Sequence, residues 1–284
     1  MRKIIIIGGG AAGMMAAYSA ALTSNNVILL EKNEKLGKKL YITGKGRCNL
    51  TNSSDMNTVM ENIVSNKRFL FSAFKKFTNE DIMNLVENNG TKLKVERGNR
   101  VFPVSDHSSD IIKSIEKALR DLNVDIRLNT KVDKPIIEDG RCIGVMIGKN
   151  KILSDAVIVA TGGMSYQATG SDGDGYRFAK EAGLSVSKLY PSLVPFNIEG
   201  ERIKALQGLS LKNVNVYIYN DKKLVYDEFG EMLFTHFGVS GPVIISASAI
   251  IGNKNIKVVV ENGFKSMPTP LVVKETIEKF YNLK

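Results

Sequence analysis

Three glycines in the spacing Gly8-x-Gly10-x-x-Gly13 follow an apolar run directly and precede a segment rich in Ala and Met. In such a pattern the first glycine permits a tight turn, the second lets a pyrophosphate approach the backbone, and the third lets a helix pack close to a strand. The helix N-terminus presents free N–H groups and a partial positive charge to phosphates. The spacing therefore predicts a dinucleotide site.

The segments around these glycines predict the elements that such a site needs. Ile4–Ile7 is an unbroken β-branched run, typical of a strand buried on both faces of a parallel sheet. Met14–Leu22 predicts a helix, and Asn26–Leu30 predicts a second strand that ends at Glu31. The alternative is a glycine-rich turn in another α/β protein, and this order of elements argues against it.

Glu31 lies 18 residues after Gly13, where an acid can accept hydrogen bonds from ribose hydroxyls. A carboxylate at this position would repel a 2′-phosphate, so NADP is disfavoured in this site. FAD and NAD remain as alternatives.

The stretch Gly37–Asn52 is too long for a simple connection, and long ordered loops are usually functional. Its cations Lys38, Lys45 and Arg47 can neutralise a pyrophosphate or an electron-rich ring. The alternative is a flexible basic surface loop. Side chains that can hydrogen-bond a ribityl chain or a ring edge are Asn49, Thr51 and Asn52.

Together with the glycine pattern, Glu31-Lys32 and the segments LGKK (36–39) and TGKGRCNLTN (43–52) resemble a bacterial family of FAD-binding flavoproteins. This family is commonly described as NAD(P)/FAD-dependent or aminoacetone-oxidase-like oxidoreductases, distant relatives of the fumarate reductase flavoproteins. The Gly-Arg-Cys-Asn core at 46–49 is much more specific to the family than the glycine spacing.

The resemblance implies an α/β fold with a Rossmann-type FAD-binding domain, a three-stranded β-meander and an inserted β-rich domain. It implies FAD as the cofactor, NAD(P)H as the electron donor and a small-molecule substrate. Spacing and resemblance together predict cofactor contacts from Gly8, Gly10, Ala11, Ala12, Gly13, Glu31, Lys32, Lys38, Gly44, Arg47, Cys48, Asn49, Val132, Ala160, Thr161, Gly162 and Gly163.

Apolar periodicity and turn signals predict the elements that follow. Helices are expected over 56–73, 79–89 and 109–122, the second capped by Thr78 or Asn79 and the third by Asp106 or Ser108. Strands are expected over 124–128 and 155–160, with a three-stranded meander over 136–152 between them. Asp172 and Asp174 superficially suggest a calcium loop, but the remaining ligands are absent, and we interpret them as capping and turn residues before a helix.

From Leu184 onward, short apolar segments predict an antiparallel β insertion, then a helix over 243–251 and a strand over 255–260. The segment FTHFGVSGP (234–242) is shared with the family, and His236 within it can donate or accept a proton. The alternative is a structural histidine satisfied by backbone in a tight turn. His236 and Arg47 are the catalytic candidates.

We expect an FAD-binding domain over 1–185, a β-rich substrate domain over 186–260 and a C-terminal extension over 261–284. The resemblance covers about residues 1–258, and the family's glycine-rich return to the nucleotide domain is not found after it. We therefore expect either a truncated or rearranged member or a segment that is supplied otherwise, with an open edge that favours self-association or a partner.

Composition narrows the classes of protein to which this chain can belong. The net charge of +10 comes from scattered lysines, which indicates a solvated basic surface and no nucleic-acid partner. No apolar stretch is long enough to span a membrane. The glycines interrupt what would otherwise resemble a signal peptide, and Cys48 and Cys142 form no disulfide framework, so we expect a cytoplasmic protein.

The predicted function is electron transfer between bound FAD and a small organic substrate. One alternative is a non-catalytic nucleotide-binding protein, a sensor or partner subunit. A second is an NAD-dependent dehydrogenase without flavin, but such a domain needs no basic loop like Gly37–Asn52.

Overall fold

A computed structural model describes residues 1–23, 25–198, 205–220 and 222–251, and the backbone of 257–262. The chain forms two compact units, Met1–Ser187 and Lys188–Lys284. The elements of the first unit, in chain order, are β1 Lys3–Ile7, α1 Ala11–Ala21, β2 Asn26–Leu30, a 3₁₀ segment Leu40–Gly46, β3 Thr51–Asn52, α2 Met56–Glu61, α3 Lys67–Lys76, α4 Asn79–Asn88, β4 Leu93–Glu96, β5 Arg100–Pro103, α5 Ser108–Asp121, β6 Asp125–Arg127, β7 Lys134–Glu138, β8 Arg141–Ile147, β9 Asn150–Leu153, β10 Ala156–Val159, a 3₁₀ turn Gln167–Thr169 and α6 Asp174–Glu181.

A parallel sheet in the order β10-β1-β2-β6 is the centre of the first unit. Adjacent residues of a strand point to opposite faces, and Ile5 and Ile6 are both fully buried, so the strand is covered on both sides as predicted. One face packs against α1 and α5 through residues such as Met14 and Leu119. The other packs against the meander and α6, where Phe178 is buried.

The predicted meander forms as β7-β8-β9, and β3, β5 and β4 make a separate small sheet. The predicted fold class is therefore confirmed: an α/β unit with a Rossmann-type parallel sheet, and additional antiparallel sheets.

Three local predictions are wrong. The single helix expected over 56–73 is two helices, because residues 62–66 are not helical, and Asn66 adopts a left-handed conformation (φ 52°) directly before α3. Helix α5 begins after His107, and no side chain caps it. Helix α6 begins after Gly173, also without a side-chain cap, because Asp172 and Asp174 bond elsewhere. The cap of α4 is as predicted, since Thr78 and Asp81 form a capping box.

The second unit contains β11 Phe196–Asn197, β12 Ser210–Asn220, β13 Lys223–Thr235, β14 Gly238–Ser240, α7 Pro242–Ile251 and β15 Lys257–Asn262. Its antiparallel sheet has the order β11-β14-β13-β12-β15, and α7 packs on it with Ile244 and Ala247 fully buried. The predicted substrate role of 186–260 stays a prediction. Most of the predicted extension, residues 263–284, lies outside the described residues.

Candidate functional site

A pocket of about 650 Å³ lies at the carboxyl edge of the parallel sheet, where the ends of β1, β2 and β10 meet. Ligands of open α/β sheets bind at this edge, and the volume falls in the usual range of small-molecule and cofactor sites. The predicted contact residues that line it are Gly8, Gly10, Ala11, Ala12, Glu31, Lys32, Lys38, Val132, Ala160, Thr161 and Gly162.

The three glycines of the turn have three different surroundings. A Cβ on Gly8 would lie 2.5 Å from the carbonyl oxygen of Ala160, and one on Gly13 would lie 1.7 Å from the carbonyl oxygen of Gly8. A Cβ on Gly10 would meet no atom within 4 Å. Gly8 and Gly13 are therefore required by packing within the protein, whereas the space beside Gly10 is open to the pocket. No side chain caps the N-terminus of α1, where Gly10 stands.

Glu31 ends β2 inside the pocket wall and is 7 % exposed. Its Oε2 accepts a hydrogen bond from the Gly9 backbone N–H (2.6 Å), and its Oε1 accepts from the backbone N–H and the Nδ2 of Asn33 (2.8 and 2.6 Å). Such a network supports a buried carboxylate, which would otherwise be costly. Because a carboxylate offers about four lone-pair sites, Glu31 keeps acceptor capacity for a ligand.

The ammonium of Lys32 forms ion pairs with two carboxylates in the pocket wall. Its Nζ lies 2.8 Å from Asp172 Oδ2 and 3.0 Å from Asp174 Oδ2. Burial by itself would lower the pKa of Lys32, but the hydrogen bonds to these carboxylates outweigh it and raise the pKa. Asp172 and Asp174, which we predicted as capping and turn residues, therefore pair with a predicted cofactor contact.

Lys38, Lys39 and Lys131 also line the pocket. Lys38 Nζ lies 3.2 Å from Glu34 Oε2, and Lys39 Nζ donates to the carbonyl oxygen of Ser165 at 2.8 Å. Lys38 was predicted as a contact, while Lys39 was named only as part of the family motif. Thr43 and Leu40 complete this side of the pocket.

Several predicted contact residues lie outside the pocket lining. They belong mainly to the turn after the 3₁₀ segment Leu40–Gly46, whose backbone passes through left-handed conformations at Gly44 and Lys45. Cys48 is buried, and burial raises the pKa of its thiol. The predicted contacts that do not line the pocket are Gly13, Gly44, Arg47, Cys48, Asn49 and Gly163.

Arg47, a predicted catalytic residue, belongs to a cluster of charges on the small sheet. Its Nη1 lies 2.8 Å from Glu96 Oε1 and 3.3 Å from Asp106 Oδ1, and its guanidinium stacks 4.1 Å from the Phe102 ring centroid. Lys94 also pairs with Asp106 at 2.7 Å. These contacts tie the Gly-Arg-Cys-Asn turn to β4, to β5 and to Asp106 after β5, and the catalytic role of Arg47 stays a prediction.

His236, the other catalytic candidate, lies in the second unit on the exposed turn between β13 and β14. Its ring packs edge-on against Phe237, with the centroids 4.9 Å apart. The residue is exposed to solvent, and its catalytic role stays a prediction.

The loop before α6 supplies pocket residues that the sequence analysis did not name as contacts. The glycine-rich run at 170–175 was the signal that could have found them, but we interpreted it only as a helix start. The main unnamed lining residues are Asn33, Thr130, Lys131, Thr169, Gly170, Ser171, Asp174, Gly175, Tyr176 and Phe178.

Two kinds of feature are absent from the described part of the chain. No group of three or more potential metal ligands is found in the ranges given above. Among the same residues, no helix combines the length and apolar character that crossing a bilayer requires.

A parallel sheet, a glycine turn at a helix N-terminus and an acid at the end of the second strand define a Rossmann-type dinucleotide-binding protein. The chain belongs to the family described as the HI0933-like protein Rossmann domain, which matches residues 2–248. This is a family of FAD-binding Rossmann domains.

Two curated proteins illustrate the relationship. The chain is 29 % identical over 220 residues to a 3-dehydro-bile acid delta(4,6)-reductase of Clostridium scindens, covering 78 % of this chain and 53 % of that protein. It is 30 % identical over 221 residues to a ribosomal RNA dihydrouridine synthase of Escherichia coli, covering 78 % and 54 %. The chain thus spans about half the length of these relatives.

One solved structure supports the fold. A 3-ketosteroid-delta4-(5alpha)-dehydrogenase from Rhodococcus jostii matches with a TM-score of 0.51 at 14 % identity, covering 74 % of this chain and 60 % of that one. The likeness concerns fold alone. The expectation that nucleic acid is not a partner is not supported, because one relative is named for a reaction on ribosomal RNA.

Proposed function

We propose that this protein binds FAD in the sheet-edge pocket and acts as an FAD-dependent oxidoreductase on a small organic substrate, with NAD(P)H as the electron donor. One observation carries the proposal. The space beside Gly10 is open at the uncapped N-terminus of α1, while Glu31 lies in the wall of the same pocket with acceptor capacity left. A dinucleotide needs both features, one for its pyrophosphate and one for its ribose.

The residues present fit FAD. The backbone at Gly10–Ala12 would face the pyrophosphate, Glu31 the ribose hydroxyls, and Val132 with Lys131 would border the adenine. Thr161 and Gly162 line the pocket just after β10 and offer a hydroxyl and a backbone amide. When bound, FAD supplies two-electron redox chemistry, and the chain holds and orients it.

The names of the two curated relatives support a reductive direction. One is a reductase of a 3-dehydro bile acid, and the other makes dihydrouridine, which has two hydrogens more than uridine. We therefore infer that the substrate gains two electrons and two protons. His236 is the proposed proton donor. Membership of the aminoacetone-oxidase-like subgroup belongs to this proposal and rests on the motif at 43–52.

An RNA uridine is the second candidate substrate class. The relative named for ribosomal RNA favours it. The cytoplasm is the proposed location, because Cys48 and Cys142 are free thiols that suit a reducing compartment.

The test is an absorbance scan of the purified chain, as isolated and after incubation with FAD and desalting. Flavin bands near a one-to-one ratio, bleached by NADH or NADPH without oxygen, are the expected result. A folded chain that retains no flavin would overturn the proposal. Retained flavin that neither nucleotide bleaches would favour the non-catalytic alternative.

A further inference from the structure

Two segments meet along one side of the pocket, and we call their contact the seam. The first is Lys32–Asn33, shortly after β2, and the second is the loop 169–174, which ends at the first residue of α6. Besides the two ion pairs of Lys32, Asn33 Nδ2 donates to the carbonyl oxygen of Thr169 at 3.3 Å. About 140 residues of sequence separate the two segments, so only tertiary structure joins them.

The seam is closely packed. A Cβ on Gly170 would lie 2.6 Å from Asn33 Nδ2 and 3.1 Å from Lys32 Cε. Lys32, Asn33, Thr169 and Gly170 all line the pocket. The seam is therefore part of the pocket wall, and opening it would open the pocket.

Charge makes Lys32 the critical member of the seam. Its side chain is 21 % exposed and that of Asp174 is 13 % exposed, so their ion pair is partly shielded from solvent. Asp174 also pairs with Arg177 at 2.9 Å, but no second cation contacts Asp172 among the described residues. Without Lys32, Asp172 would lose its cation beside a pocket that already holds the Glu31 carboxylate.

We propose that Lys32 is a positioning residue of the cofactor site, which holds the loop 169–174 against the end of β2 and thereby limits how fast a bound dinucleotide leaves. The inference rests on the proposed function, because it names FAD as the bound dinucleotide. It assigns the ammonium of Lys32 to the protein's own carboxylates rather than to the phosphates of the cofactor.

The first experiment measures the FAD dissociation rate of the full chain by the recovery of flavin fluorescence. Lys32→Met should release FAD about tenfold faster, and Lys32→Arg should stay close to wild type because a guanidinium can bridge the same two carboxylates. The matched control Lys117→Met removes an exposed lysine–aspartate pair on α5 that lies outside the pocket, and it should not change the rate. An unchanged rate in Lys32→Met would overturn the proposal.

A second variant separates positioning from direct contact with the cofactor. The double substitution Asp172→Asn and Asp174→Asn frees the Lys32 ammonium and removes two negative charges. If Lys32 bound the phosphates directly, this variant would hold FAD at least as tightly as wild type. If Lys32 instead positions the loop, the double variant should release FAD faster than wild type, at a rate comparable to that of Lys32→Met.

Hydrogen exchange of the FAD-free chain tests the seam without the cofactor. Backbone amides of residues 170–176 should exchange faster in Lys32→Met than in wild type, while those of α5 should not change. Unchanged exchange at 170–176 would show that Lys32 does not hold the loop in place, and it would overturn the proposal. If wild type retained no FAD, the proposed function would fail, and the exchange result would still decide whether Lys32 holds the loop.

Discussion

The carboxylate oxygen Oε2 of Glu31 lies 2.6 Å from the backbone nitrogen of Gly9, which joins the end of β2 to the glycine turn after β1. The spacing of the sequence assigned Glu31 to a ribose. The structure adds a second contact, because the same carboxylate holds the turn that would face the pyrophosphate in the proposed FAD complex. Under the proposed function, cofactor binding and local stability would therefore both depend on this one side chain.

Replacing Glu31 with Gln should weaken both properties. An amide presents an N–H₂ group to at least one of the three N–H donors, so a buried hydrogen bond is lost, at a cost of about 1–3 kcal/mol in the free energy of unfolding. The FAD dissociation constant should rise about tenfold or more. Urea unfolding and flavin fluorescence titration measure the two effects. Glu61→Gln, on the exposed end of α2, is the control and should change neither.

Substitutions of Gly10 and Gly13 should have different effects, because the first glycine leaves space for a ligand and the second is required by packing within the protein. Gly10→Val projects into open pocket space, so the chain should fold with a nearly unchanged melting temperature but fail to retain FAD. Gly13→Ala drives a methyl group into the Gly8 carbonyl and should destabilise the fold by about 3 kcal/mol. Thermal melts and desalting after FAD incubation give the comparison. A Gly10→Val chain that keeps stoichiometric flavin would contradict the pocket assignment.

His236 should affect turnover without affecting the fold. Its ring is exposed on a turn, so His236→Asn should leave the melting temperature within experimental error. If the imidazole transfers a proton, kcat should fall about 100-fold with the preferred substrate, and the pH profile of kcat should lose one limb. Phe237→Leu removes the edge-on ring contact with His236 while keeping an apolar side chain in the turn, so it tests whether that contact matters. An unchanged kcat in His236→Asn would contradict a catalytic role and would favour the alternative of a structural histidine.

Arg47 should couple to Glu96 energetically. In a double-mutant cycle, Arg47→Met and Glu96→Gln should destabilise less together than the sum of the single changes, because either one breaks the same contact. Arg47→Lys should not restore stability fully, since an ammonium cannot reproduce the stacking on Phe102. Urea unfolding of the four variants provides the measurement. Strict additivity would show that the ion pair contributes nothing.

Asp174 should make stability depend on pH in the acid range. Burial by itself would raise its pKa, but the hydrogen bonds from Arg177 and Lys32 outweigh it and bring the pKa below the usual value. A lowered folded-state pKa gives stability that is complete above about pH 4 and is lost as pH falls through the folded-state value. Asp174→Asn should therefore be less stable than wild type at pH 7, and the difference should shrink below pH 4. Urea unfolding at pH 7 and at pH 3 tests the sign, and a difference independent of pH would refute it.

The sequence by itself determined the Rossmann-type sheet and the glycine turn. The features that identify this part of the fold lie within 31 residues: Ile4–Ile7, the glycine spacing and Glu31. Local sequence patterns are therefore enough to predict the first strand, the glycine turn and the acid after the second strand. The capping box of α4 and the β-meander were predictable for the same reason. Each depends on residues that are close in the chain.

Only the tertiary structure decided what the charged side chains do. Lys32 pairs with carboxylates 140 and 142 residues away, and Arg47 pairs with carboxylates 49 and 59 residues away. Local patterns could not foresee these pairs, so the sequence did not reveal that Asp172 and Asp174 bind Lys32 or that Arg47 binds Glu96 and Asp106. Long side chains take their partners from whatever the fold brings within reach, whereas backbone turns follow from residue types at neighbouring positions.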